Sequence, residues 1–269
     1  MSTKSVWLGR FREPVRMAML GSIGLTLLLA GYLILSKIFV ADAIGMHQMI
    51  RPQEAPIAGV FLILMSIALF TSSVYMSDTL GPIEVAPQGP FDYLSLIVGR
   101  LAMLSIAFVV IVMFYEVVSR YVFSRPTLWA NELSLWIAAF VFLLAGLYAM
   151  QQRSHIRIYV IYNIMPRWAQ KTADVISVAL IVGFCFALIW GGFNDAYSRM
   201  MRLEGFGTAW DPPLPGTVKP AILFLIFLVS IQAVSNLILD WNKDPESFGG
   251  SDDIDETEIE NLRKTLEGK

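Results

Sequence analysis

The sequence predicts an all-α integral membrane protein with six transmembrane helices, and three observations lead to this fold class. Hydrophobic residues make up 56% of the 269-residue chain, they are gathered in six long stretches, and the connections between those stretches are short. Each stretch holds about 20 residues, which as a helix would cross the roughly 30 Å hydrocarbon core of a bilayer. Backbone polar groups in lipid must be satisfied within their own segment, so we expect helices. The stretches cover residues 17–40, 56–76, 93–115, 132–150, 173–196 and 218–239.

Residues 1–92 are predicted to form an N-terminal helix hairpin attached to a four-helix core of residues 93–240. The two spans of the hairpin contain few polar residues, and the loop that follows them is rich in proline and glycine, which is typical of a boundary. Basic residues before the first span imitate a signal peptide. The apolar region is longer than the roughly 7–15 residues of such a peptide, so we expect a retained membrane helix.

The connection between the third and fourth spans carries the first group of candidate functional residues. Glu116 lies four residues before Arg120, the favoured order for a helical ion pair, and Asn131 is expected to cap the next helix. Arg100, inside the third span, is expected to extend its side chain to the membrane surface. We interpret this connector as held by local ion pairs, with solute binding as the alternative. Its candidate residues are Arg120, Arg125, Trp129 and Glu132.

Residues 156–168, between the fourth and fifth spans, alternate apolar, aromatic and basic side chains. The segment is too short and too charged to cross a bilayer. Tyrosine and tryptophan next to arginine are typical of the headgroup layer, so we expect it to lie along the inner membrane surface. His155 and Arg157, at its start, are further candidate connector residues.

The last two spans each carry a stripe of related residues at four-residue spacing. The fifth span has a stripe of small residues, which allows another helix to approach closely and predicts a helix-packing seam. The sixth has a polar stripe, which is costly in lipid unless it faces protein. The small-residue stripe is Ala179, Gly183, Ala187 and Gly191, and the polar stripe is Gln232, Asn236 and Asp240.

Charge predicts the orientation and a separate C-terminal tail. With six spans both termini lie on one side, and the segments near the spans on that side hold nine lysines and arginines against six on the other, which favours cytoplasmic termini. Residues 240–269 carry a net charge of −6, whereas residues 1–239 carry +4. The tail of residues 241–269 is either disordered or a short amphipathic helix.

The residue types that most enzymes and redox proteins use are scarce in this chain. Cys185 is the single cysteine, which excludes an internal disulfide and a multi-cysteine metal site. The two histidines, His47 and His155, fall in loops on opposite sides of the membrane and so could not hold a haem between them. We expect no enzyme activity, no cofactor and no bound metal.

Five motifs in order resemble the small membrane subunit of tripartite ATP-independent periplasmic (TRAP) transporters, the DctQ-like family. Residues 120–126 resemble its "RYVFNRP" connector, residues 129–133 its "W-x-E-E-L" helix entry, and residues 153–158 its "R-x-x-H-I-R-V-D" exit. Pro166-Arg167 and the proline-rich residues 210–215 follow at suitable distances. Asn131 and Tyr159 depart from acidic positions of the family, and residues 1–92 lie outside the resemblance.

The resemblance implies a non-catalytic subunit of a secondary transporter in the bacterial inner membrane. In this family a DctP-like periplasmic binding protein captures a carboxylate-bearing solute, and a DctM-like large multi-span subunit imports it by sodium symport. The small subunit scaffolds the large one. An independent carrier or channel is the alternative, and it would require pore-lining polar residues in several spans, whereas only the sixth has such a stripe.

Overall fold

The computed structural model describes residues 5–40, 43–53, 55–82, 84–153, 162 and 164–242. Within these ranges there are six long helices and no strand, and each helix is long and apolar enough to cross a membrane, which confirms the predicted fold class. A one-turn helix, Met46–Met49, lies between the first two. The six are α1 (Arg12–Phe39), α2 (Pro56–Ser77), α3 (Pro90–Tyr121), α4 (Ala130–Gln151), α5 (Arg167–Met201) and α6 (Leu214–Asp240).

The helices extend beyond the apolar runs from which they were predicted, because their polar ends continue into the membrane interface. α3 has 32 residues and α5 has 35. Proline at the first position starts α2 and α3, where its missing N–H costs nothing. The expected cap at Asn131 is wrong: α4 begins at Ala130, so Asn131 lies within the first turn and Trp129 stands at the cap position, without a side-chain cap hydrogen bond.

The helices form a row rather than a closed bundle. α1 packs on α2, α2 on α3, α3 on α4, α4 on α6, and α6 on α5, with a smaller contact between α3 and α6. The main helix contact of α1 is therefore α2, and that of α5 is α6. Consecutive helices run in opposite directions, so the ends of α2 and α4 lie on the side of the N-terminal segment. The connections after α1, α3 and α5 meet on the other.

Small residues allow this row to pack closely, since lipid supplies no hydrophobic drive between helices. α2 turns Ala58, Ala68, Ser72 and Ser73 toward its neighbours. Gly99 of α3 lies under the ring of Tyr148, and an added Cβ would be only 2.4 Å from the ring carbon Cδ2. That position accepts glycine alone unless the two helices move apart.

Candidate functional site

The loop between α2 and α3 is bound to the core by a buried ion pair between Glu84 and Arg100, to which Tyr148 adds a hydrogen bond. We call these three residues the Glu84 cluster. Arg100 Nη1 and Nη2 donate to the two carboxylate oxygens of Glu84 at 2.7 and 2.5 Å, and the Tyr148 hydroxyl also donates to that carboxylate. The Glu84 and Arg100 side chains are each 9% exposed. Arg100 thus reaches the loop between α2 and α3, where it forms an ion pair with a carboxylate that the sequence did not predict as its partner.

Hydrogen bonding sets the charge state of this cluster. Burial by itself raises the pKa of Glu84, but the hydrogen bonds from Arg100 and Tyr148 and the nearby positive charge outweigh it and lower that pKa to about 2. The carboxylate is therefore ionised at neutral pH.

Arg100 also donates to the Thr79 carbonyl at 2.8 Å, and Gln152 accepts from the Val85 amide at 2.8 Å.

Asp78, directly after α2, binds the N-terminal segment. Its Oδ1 accepts from the backbone amides of Val6, Trp7 and Leu8 at 2.9–3.0 Å, and Arg12 lies 3.2 Å from its Oδ2. Burial raises the pKa of Asp78, but these donors together lower it below its usual value. The segment before α1 is thereby fixed to the end of α2.

The polar stripe of α6 faces protein along its whole length. Gln232 donates to Asp92 Oδ1 at 2.7 Å and accepts from the Ser95 hydroxyl at 2.9 Å, so it joins α6 to α3. Asn236 donates to the Met150 carbonyl of α4 at 2.7 Å. Asp240 forms a bidentate ion pair with Arg153, with Oδ1–Nη2 at 2.9 Å and Oδ2–Nε at 2.5 Å.

The α3–α4 connector, on the other side of the membrane, contains further local contacts. Glu116 accepts from Arg120 Nε at 2.9 Å and from the Thr127 amide at 3.0 Å. Trp129 stacks on Tyr115 with ring centroids 5.8 Å apart.

Two residues extend this connector in different ways. Glu132 accepts from the Thr208 hydroxyl at 2.6 Å and so ties α4 to the α5–α6 connection. Arg125 takes part through its backbone, since its amide donates to the Ser119 carbonyl at 2.9 Å. The connector candidates are thus linked to helix ends and not gathered around one cavity.

The N-terminal hairpin meets the core on this side as well. The Trp210 indole N–H donates to the Met46 carbonyl at 2.8 Å, and Trp210 is buried. The hairpin is therefore bonded to the core on both sides of the membrane, at Glu84 on one and at Met46 on the other.

The small-residue stripe of α5 lies on an open surface of the described chain. All four of its residues are exposed, and a Cβ added at Gly183 or Gly191 would meet no atom within 4 Å. The contact with α6 uses a different side of α5, where Cys185 and Ala196 are buried and Gly192 lies against Leu223.

The sequence did not reveal the acidic partners. Glu84 lies in the loop before α3 and Asp92 in the first turn of α3, a stretch whose acids have no basic residue beside them, and Tyr148 is 64 residues from Glu84. The available signal was Arg100 itself, because a charge within a span needs a counter-charge. His155, Arg157 and most of residues 156–168 lie outside the described residues, as does the tail beyond residue 242. Among the described residues no group of three or more His, Cys, Asp or Glu could hold a metal ion.

Comparison with known proteins points to a transporter component. The family model "Tripartite ATP-independent periplasmic transporters, DctQ component" matches residues 109–243, which is half of the chain. The C4-dicarboxylate TRAP transporter small permease protein DctQ of Vibrio cholerae is 28% identical over 106 residues, covering 39% of this chain and 45% of that protein.

A second relative is much longer than the matched region. The sialic acid TRAP transporter permease protein SiaT of Haemophilus influenzae is 28% identical over 121 residues, covering 44% of this chain and 19% of that protein. The chain thus spans less than half the length of either of these relatives. No solved structure matches.

Proposed function

This chain belongs to the family of DctQ components of TRAP transporters, and we propose from that premise that it is the small permease subunit of a sodium-coupled importer of a carboxylate-bearing solute. The family is a transporter component, so the chain is a non-catalytic membrane protein and not an enzyme, as expected. Its proposed task is to scaffold the large subunit, which carries the transport pathway.

This proposal rests on a contrast between polar side chains that are hydrogen-bonded within the chain and the exposed apolar surface of α5. The polar stripe of α6 and the Glu84 cluster bind parts of this chain to each other. A carrier or channel would require such groups to line a pathway through the membrane. α5 instead offers exposed small and aromatic residues, which suit contact with another membrane protein.

The proposed partners are a DctM-like large permease subunit and a DctP-like periplasmic solute-binding protein. Support for the first comes from SiaT, in which the region similar to this chain is only 19% of a longer permease protein. The names of the two relatives refer to C4-dicarboxylates and sialic acid, both of which carry carboxylates. Coupling to sodium rests on the family resemblance.

The proposed topology places both termini in the cytoplasm of a bacterium, with the protein in the inner membrane. The nine-to-six bias of basic residues supports this orientation. In this arrangement residues 1–92 form an added hairpin, residues 93–240 the four-helix core and residues 241–269 a cytoplasmic tail. Single cysteines at Ser5 and Ser251, in a Cys185→Ala background, should be labelled only from the cytoplasmic side.

Purification of the tagged chain from its own membranes tests the function. We expect a larger multi-span permease protein to co-purify in near-equal amount, and deletion of the gene to abolish sodium-dependent uptake of one carboxylate solute. Reconstitution of the chain alone is the control. Solute transport by the chain without a partner would contradict the proposal and support an independent carrier or channel.

A further inference from the structure

α5 and α6 enclose an apolar groove that the rest of the described chain does not fill. Its volume is about 410 Å³, and it lies along the last three turns of α5 and the first turns of α6. The lining is almost entirely hydrocarbon and aromatic, and Pro220 of α6 contributes to it. Its larger side chains are Phe193, Tyr197, Met200, Leu223, Phe224 and Phe227.

A network of charged residues borders the groove where α5 and α6 reach the membrane surface. Lys219, next to Pro220, lies 2.5 Å from Asp195 Oδ2, and this pair joins the two helices that form the groove. Arg199 binds Asp195 at 2.8 Å and also pairs with Glu204, which Arg202 approaches at 3.3 Å. We call these five residues the rim network.

The rim network carries one net positive charge, because its three cations exceed its two carboxylates. Asp211, the next acid along the chain, does not alter this count at the groove. It accepts from the Gly207 amide at 2.7 Å and lines a separate pocket beside Arg51.

We propose that this groove and its rim network form a binding site for an anionic phospholipid of the leaflet at the α5–α6 connection. One acyl chain lies in the groove, and the phosphodiester lies at Lys219 and Arg202. The groove is apolar and the rim network beside it carries one net positive charge. The site is therefore complementary to a lipid with apolar chains and one net negative charge in its headgroup. Exposed basic residues near a membrane surface attract such headgroups.

The lipid site and the small-residue stripe lie on neighbouring faces of α5. At 100° per residue, the groove-lining positions 193, 197 and 200 lie between about 40° and about 140° around the helix from positions 183 and 187. A helix of a partner subunit could therefore contact the stripe while the groove keeps its lipid. This inference does not depend on the proposed transporter role, since it concerns the chain alone.

Photolabelling of the purified full chain tests the site. The chain is reconstituted in phosphatidylcholine vesicles with a trace of phosphatidylglycerol that carries a diazirine in its acyl chain, and labelled peptides are mapped by mass spectrometry. We expect labelling of residues 189–200 and 220–227 to exceed that of Ile34, Leu35 and Ile38 of α1. Those three are 57–67% exposed and lie in the same leaflet, so they report ordinary lipid contact.

Headgroup selectivity separates a specific site from general contact. A phosphatidylcholine probe with the same diazirine chain should label the groove about fivefold less than the phosphatidylglycerol probe. Lys219→Gln should reduce groove labelling by phosphatidylglycerol by a similar factor. Arg51→Gln, which removes a cation from the same side of the membrane, should leave it unchanged.

Three results would overturn the proposal. Equal labelling of the groove and of α1, or equal labelling by both headgroups in the wild-type chain, would mean ordinary surrounding lipid only. Loss of groove labelling when the large subunit is co-reconstituted would mean that a protein covers the groove.

Discussion

The two stripes of the last membrane helices have the same four-residue period but opposite surroundings. The polar stripe of α6 is enclosed, with each member bonded to α3, to α4 or to Arg153, two residues after α4. The small-residue stripe of α5 is open, with no neighbour within 4 Å of a Cβ at Gly183 or Gly191. Periodicity therefore identifies a helix face that matters, but the chemistry of the face decides whether the chain itself must cover it.

This contrast separates folding from assembly. A polar group cannot be left facing lipid, so the chain must satisfy it while it folds. A helix face of glycine and alanine is tolerated in lipid, so another subunit can bind it after the chain has folded. Substitutions in the enclosed stripe should then reduce the stability of the isolated chain, and substitutions in the open stripe should not.

The largest effect is expected for Gln232→Leu. The change removes a donor from the buried Asp92 carboxylate and an acceptor from Ser95, and unpaired buried groups of this kind cost about 3 kcal/mol. We expect a lower thermal midpoint and a lower yield of monodisperse chain in detergent. Ser177→Leu is the matched control, because that exposed hydroxyl bonds only to the Ala173 carbonyl of its own helix. Equal stability of the two variants would contradict the enclosed-stripe interpretation.

The Glu84 cluster should make the stability of the folded chain fall at acidic pH. Folding lowers the pKa of Glu84 from 4.5 to about 2. The ionised carboxylate therefore contributes fully to the free energy of unfolding above pH 4.5, and this contribution is lost as the pH falls toward 2. Asp78, whose pKa is also lowered, acts in the same direction. Thermal unfolding measured from pH 6 to pH 2.5 should show the loss. Glu84→Gln should flatten this slope, and an unchanged slope would exclude Glu84 as its cause.

Gly99→Ala should destabilise the chain by about 2 kcal/mol, because the new methyl group overlaps the Tyr148 ring. Gly183→Ala, the same change on the open stripe, adds a methyl group to free space and should leave the thermal midpoint unchanged or slightly higher. Comparing both variants in one detergent tests the contrast with a single chemical change. Similar midpoints would show that α3 and α4 do not pack as closely as described.

The smallest effect is expected at the α3–α4 connector. Glu132→Gln weakens a partly exposed bond to Thr208 and should cost at most about 1 kcal/mol. Because we place this residue in structure and not in solute binding, the assembled transporter should form in somewhat lower amount with unchanged solute affinity. A raised KM for uptake at an unchanged protein level would assign Glu132 to the solute pathway.

Much of the fold could be predicted because bilayer thickness leaves few choices to an apolar segment of about 20 residues. The polar stripe of Gln232, Asn236 and Asp240 was visible for a related reason, since its spacing is local. The partners were not visible. Glu84 meets Arg100 and Tyr148 only after two helices have packed, and Gly99 shows its necessity only when the Tyr148 ring lies on it.

The helix ends were also beyond the sequence pattern. A run of apolar residues indicates the part of a helix that lies in lipid, whereas α3 and α5 continue through polar residues such as Arg120 and Arg199. The stripe of small residues was predicted to be a helix-packing seam, and within the described part of the chain it is exposed. Whether Ala179, Gly183, Ala187 and Gly191 contact a second subunit therefore stays a prediction.

The most direct test of the assembly role is co-purification of the large subunit with a Gly183→Leu/Ala187→Leu double variant. Both residues are exposed, so we expect the isolated chain to keep its yield and thermal midpoint. The added side chains would overpack a helix contact by about 1–3 kcal/mol per site, which should sharply reduce the co-purified large subunit and the uptake of solute. If the double variant retains the large subunit and transports at wild-type levels, the stripe faces lipid and the central claim is wrong.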